Sequence, residues 1–181
     1  QLGAEYETIG AVAQRDRWVQ TIKNSGLTDA QVEQVLASES FGPLTAELRR
    51  AESIHHDVDR LLPALVKRRS LDDAEDIGAV LISRLQKAAQ PKRGKHRPSP
   101  KLVVGLIPMA DGPMDEVMAK ALAERADLME GRAMALAERA VADKASWLKR
   151  LGTAPTTQAA RRLWLHEVRT VAAYRDRYGV D

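Results

Sequence analysis

Met114–Ala142, MDEVMAKALAERADLMEGRAMALAERAVA, is the stretch whose reading decides the fold. Leu122, Met129 and Leu136 recur every seven residues, and Arg125, Arg132 and Arg139 follow the same repeat on an adjacent strip. That period predicts one long helix, launched by Gly112-Pro113. At 1.5 Å per residue it makes a rod of roughly 40 Å. Gly131 weakens the rod by about 1 kcal/mol, which tertiary packing must offset. A second copy of the chain could use the heptad positions for dimerisation, but the arginine strip argues against a symmetric coiled-coil seam.

Toward the C-terminus, residues 156–178 read as a final helix facing inward with Trp164, Leu165, Val168, Val171 and Ala172. The simplest arrangement packs it antiparallel to the long helix, with WLKRLG (147–152) as the corner. Toward the N-terminus, Pro91–Pro100 (PKRGKHRPSP) cannot continue a helix and reads as a basic linker or exposed loop. Leu102–Ile107, ended by Pro108, is ambiguous between a short strand and a buried helical turn.

Before that linker every periodic segment is helical. One helix is expected over 4–24, with Ile9, Val12, Ala13 and Val19 near one face and Gly26 as its stop. Thr28 with Gln31 forms a capping box, and Leu27 with Val32 a hydrophobic staple. Pro43 is expected to open the next helix, which carries Leu44, Leu48 and Ala51 inward. Val58, Leu61, Leu62, Leu65 and Val66 make the following stripe, with Pro63 near the helix start. Asp72 and Glu75 are expected to cap a helix faced by Ile77, Val80, Leu81 and Leu85. The expected fold is all-α: a helical bundle in two sub-bundles, ending in a long antiparallel helical hairpin. Its divisions are an N-terminal helical subdomain (1–90), a basic linker or loop (91–100) and a C-terminal hairpin subdomain (101–181).

Composition narrows the chemistry. The chain has 181 residues, 44% hydrophobic and 29% charged, enough for a real core. Only 4% are aromatic, so aliphatic side chains and alanine must build that core. Zero cysteines exclude disulfides, thiolate zinc sites and cysteine nucleophiles, and suit a cytoplasmic protein. A net charge of +3 gives no general affinity for nucleic acid. No apolar run reaches the roughly 18 residues of a membrane span, so no membrane insertion is expected. The chain begins with Gln1 and enters helical sequence almost at once, which reads as a piece of something longer.

No phosphate loop of the GxxxxGK[ST] kind is present. His55-His56-Asp57-Val58-Asp59 is the densest set of metal-ligand residue types, but adjacent side chains point apart. It reads as a connection between helices, with Asp57 or Asp59 as an N-cap. Tyr174 and Tyr178, one turn apart, have the spacing of paired DNA-cleaving nucleophiles, yet only His166 lies nearby. They read better as amphipathic rings covering the end of the bundle. No catalytic residue, no metal ligand and no cofactor is therefore assigned. Two basic sets are candidates for single-stranded DNA: Lys92, Arg93, Lys95 and Arg97 beside His96 in the linker, and Arg162 with Arg169 on one exposed face of the last helix. Interspersed acids such as Glu167 and Asp176 weaken that reading.

The run WLKRLGTAP followed by RRLWLHEVRTVAAYRDRYG resembles the C-terminal end of large conjugative relaxase–helicases of the actinobacterial, TrwC/TraA-like MobF class. VLASESFGPLTAELRRAE, LLPALVKRRSLDDAEDIGAVLISRL and LVVGLIPMADGP extend the resemblance from Leu27 onward. It implies a role in plasmid transfer, within a parent chain that is a DNA strand transferase and an ATP-dependent helicase. The family's three-histidine site, nucleophilic tyrosines and phosphate loops have no counterpart in these residues. The resemblance thus implies a non-catalytic C-terminal module. Its partners would be the rest of the relaxase–helicase and the coupling protein of a type IV secretion channel, with single-stranded DNA as the alternative.

Overall fold

In a computed structural model, which describes residues 1–90 and 98–180, the chain is all-α apart from one very small hairpin. The helices in chain order are α1 (Leu2–Ala13), α2 (Arg15–Lys23), α3 (Asp29–Ala37), α4 (Phe41–Ser53), α5 (Val58–Lys67) and α6 (Ile77–Ala88). Strands β1 (Leu102–Val103) and β2 (Ile107–Pro108) precede α7 (Glu116–Ala142), a 3₁₀ turn (Ser146–Leu151) and α8 (Gln158–Tyr178). Lys92, Arg93, Lys95 and Arg97 lie outside the described residues.

Gln14 breaks the single helix expected over 4–24. It is fully buried, and its Nε2 donates to the Asp111 carbonyl at 2.6 Å. The break lets two adjoining helices serve different cores. Trp18 and Ile22 of α2 enter a core made with Val35, Leu44, Leu48, Leu62, Leu81 and Leu85. Tyr6 of α1 instead joins Val103, Val104, Ile107, Leu122 and Ala133. Helix α1 therefore packs on α7, across the boundary drawn from the linker. Fully burying each Leu or Ile of the first core contributes about 1.5–3 kcal/mol, so that core carries much of the N-terminal fold.

The local signals resolve in instructive ways. The Thr28–Gln31 capping box forms in both directions, and Leu27 and Val32 are buried beside it. Asp57 caps α5 by accepting the Arg60 N–H. Helix α4 starts at Phe41, two residues before Pro43, because a proline within the first turn removes only an N–H that has no helical partner. Asp76 caps α6 in place of Asp72 and Glu75, accepting the Ala79 N–H at 3.0 Å and the Ser40 hydroxyl. Asp72 is taken up in a turn with the Ser70 hydroxyl.

The ambiguous segment 102–107 is a β-hairpin, pairing Leu102 with Pro108 and Val103 with Ile107. Its tip turns through Val104 (φ 55°) and Gly105 (φ 71°), closed by the Leu106 N–H on the Val103 carbonyl at 3.0 Å. A β-branched residue in the left-handed region costs on the order of 1–2 kcal/mol and survives only where surroundings enforce it. Here Val104 is buried and its N–H donates to Glu130 of α7.

Helices α7 and α8 form the expected antiparallel hairpin, with the 3₁₀ turn as its corner. Ala137, Trp164 and Val168 make a third small core, and the Trp164 indole N–H donates to the Leu151 carbonyl. Of the heptad positions, Leu122 is buried and Met129 packs beside it against the Tyr6 core. Two of the three heptad positions are thus consumed within the chain, and Leu136 is half-buried.

Candidate functional site

Three helices, α1, α7 and α8, meet around the tip of the β-hairpin, and carboxylate–guanidinium pairs lace them together. Arg125 of α7 donates to Glu5 of α1 at 3.0 Å, and Arg177 of α8 reaches Glu7 of α1 at 3.4 Å. Arg132 of α7 holds Asp176 of α8 in a two-point contact at 2.9 and 3.0 Å. Donation from Arg132 keeps the Asp176 carboxyl below the ordinary carboxylate range. Between these helices lies an open groove of about 700 Å³, floored by Leu106, Ile107, Ala133 and Leu136.

The DNA candidates on α8 separate. Arg162 is exposed, as expected. Arg169 is not on the same exposed face: its side chain is only 16% exposed and pairs with Glu130, the residue that also holds the Val104 N–H. The charge on the Arg169 side is neutralised because α7 presents an acid at the matching level of the hairpin. A pattern along one helix does not reveal that acid. His166 Nδ1 accepts from the Arg169 guanidinium at 2.9 Å.

Tyr174 and Tyr178 stack with ring centroids 4.6 Å apart and planes tilted by 48°. Both are exposed, and Arg177 lies 5.5 Å from the Tyr178 ring centroid. Arg175 covers the Trp147 ring at the same distance, binding the corner to α8. Leu163, at 71% exposed, lies on the same side of α8 as the two tyrosines, given 3.6 residues per turn. Helix α8 thus carries a buried face toward α7 and a second, outward face of Leu163, Tyr174 and Tyr178.

His55 sits at φ 66° and its Nε2 meets the Ser99 carbonyl at 2.8 Å, so it serves the turn between α4 and α5. Among the described residues no three His, Asp or Glu side chains converge as a metal site, and no described helix is long and apolar enough to cross a membrane. No family model, curated protein or solved structure matches the chain.

Proposed function

We propose that this chain is the non-catalytic helical module at the C-terminal end of a MobF-class conjugative relaxase–helicase. It acts in the cytoplasm, in plasmid DNA transfer, by recruiting its parent protein to the coupling protein of a type IV secretion channel. The resemblance of the C-terminal strings motivates the family. The observation that carries the recruitment reading is the second face of α8, where Leu163, Tyr174 and Tyr178 stand outward on a helix whose opposite face packs against α7. Aromatic side chains are rigid, amphipathic anchors of the kind enriched at protein interfaces.

The test is capture of the cognate coupling protein by the chain, with Leu163→Asp and Tyr174→Asp as variants. Binding lost in both variants, with helicity unchanged, supports the reading. Metal-dependent cleavage of an origin oligonucleotide by the chain alone removes it.

One observation favours single-stranded DNA as a second ligand class. The exposed Tyr174–Tyr178 pair beside Arg177 is a stacking platform next to a cation. Fluorescence anisotropy with a labelled oligonucleotide, titrated with salt, separates the two. A steep salt slope that falls on Arg162→Ala, with affinity lost on Tyr174→Ala, supports DNA; absence of binding at low salt excludes it.

A further inference from the structure

Several cations of the described surface find carboxylates: Arg17 pairs with Glu52, Arg125 with Glu5 and Arg132 with Asp176. Elsewhere, cations without a carboxylate converge on one concavity. A cleft of about 480 Å³ between the end of α5 and the middle of α6 is lined by Arg68, Arg69, Val80, Ser83, Arg84 and Lys87. Four of those six residues are cations and none is an acid. Among the described residues, none of the four is within ion-pairing distance of a carboxylate.

Helix polarity accounts for part of the cluster. The C-terminus of α5 carries a partial negative charge of roughly half a unit, which attracts cations to the last turn. Arg84 answers that demand: its Nη1 donates to the Leu65 carbonyl at 2.7 Å, and both terminal nitrogens reach the Arg69 carbonyl at 3.2 Å. With those carbonyls satisfied, Arg84 is a fixed positive floor. The charges of Arg68, Arg69 and Lys87 remain in excess around it, all three exposed at the mouth of the cleft.

We propose that this cleft binds a compact anion carrying two or more adjacent phosphate groups, such as inorganic polyphosphate or the phosphate chain of a nucleotide. Guanidinium forks match phosphate oxygens in two-point contacts, and Lys87 adds a mobile point charge. The Ser83 hydroxyl supplies a neutral donor on the same wall. A compact ligand fits better than a nucleic-acid strand. The cations converge on one concavity instead of tracking along the surface, and no aromatic ring lines it to receive a base.

Isothermal titration of the whole chain with inorganic tripolyphosphate at ~20 mM salt, where screening is weak, tests the proposal. Arg84 is left intact in every variant because it ties α5 to α6. Saturable binding is expected, weakened at least about tenfold by Arg69→Ala with Lys87→Ala, and changed by less than about twofold by Lys120→Ala with Lys149→Ala on other surfaces. Absence of saturation, or equal losses in the two double variants, overturns the site. So does a short single-stranded oligonucleotide that binds more tightly than tripolyphosphate and loses as much on Arg69→Ala with Lys87→Ala, since the cleft then serves a nucleic-acid backbone.

Discussion

Glu130 of α7 and Arg169 of α8 pair across the C-terminal hairpin, and the same Glu130 carboxylate accepts the Val104 N–H at 2.7 Å. One side chain therefore joins the β-hairpin tip, α7 and α8. It also holds a valine in a backbone conformation that valine avoids.

Glu130→Ala should destabilise the chain by about 2–4 kcal/mol, because it strands a buried N–H and leaves Arg169 without its counter-charge. Glu130→Gln keeps an acceptor for Val104 and should cost clearly less. Urea unfolding followed by circular dichroism measures both. Equal losses in the two variants would show that the charge, and not the backbone contact, is what matters.

Gly105 and Thr170 form the steric counterpart of that clamp. A Cβ at Gly105 would lie 2.6 Å from the Thr170 Oγ1 and 3.0 Å from its Cγ2, at φ 71°. Gly105→Ala should cost about 2–3 kcal/mol, of which the left-handed backbone accounts for about 1–2. Thr170→Ala removes the clashing atoms, so the double variant should recover the steric part and leave the backbone part. A double-mutant cycle with no coupling between the two positions would contradict this packing.

These two contacts mark where sequence reading stops. The long helix, the Thr28–Gln31 capping box, the Trp164–Val168 face and the antiparallel hairpin follow from local period and capping chemistry, which are written in neighbouring residues. Gln14 gives no such sign. Nothing within a few residues of it demands a break; the Asp111 carbonyl, nearly a hundred positions away, does. Arg169 misleads in the same way, because its partner Glu130 belongs to another helix. The cluster of Arg68, Arg69, Arg84 and Lys87 spans two helices, so its convergence needs the fold. That Tyr174 and Tyr178 share one side of α8 is legible from their spacing, and their outward exposure comes from the fold.

Acid should weaken the fold through Asp76, which caps α6. Hydrogen bonds from Ser40 and then from the Ala79 N–H hold its carboxyl below the ordinary value of about 3.9. The unfolded chain therefore takes up the proton first as pH falls. The stabilisation is complete above about pH 4 and is lost as pH drops through the lower folded pKa. Asp76→Asn retains a capping oxygen but does not titrate, so its stability should change less than the parent's between pH 5 and the acid limb. Parallel stability–pH curves for the two proteins would remove Asp76 from the acid response.

Arg49 of α4 is 7% exposed, yet its Nε finds no acceptor among the described residues. Burial lowers its pKa from the usual value, opposed by the charges of Glu7 and then Tyr6 of α1. Gly10 of α1 leaves room for the guanidinium, since a Cβ there would sit 2.6 Å from Nη1. A buried cation with imperfect partners contributes little, and an apolar side chain of similar reach often does as well or better. Arg49→Met should accordingly leave stability unchanged or raise it by up to about 2 kcal/mol. Gly10→Ala alone should destabilise by about 1–3 kcal/mol through crowding. In the Arg49→Met background the flexible thioether can yield, and most of that loss should disappear. Thermal unfolding of the three variants decides the matter. If Arg49→Met instead lowers stability by more than about 1 kcal/mol, the guanidinium holds Glu7 in solution and the junction of α1 with α4 is electrostatic.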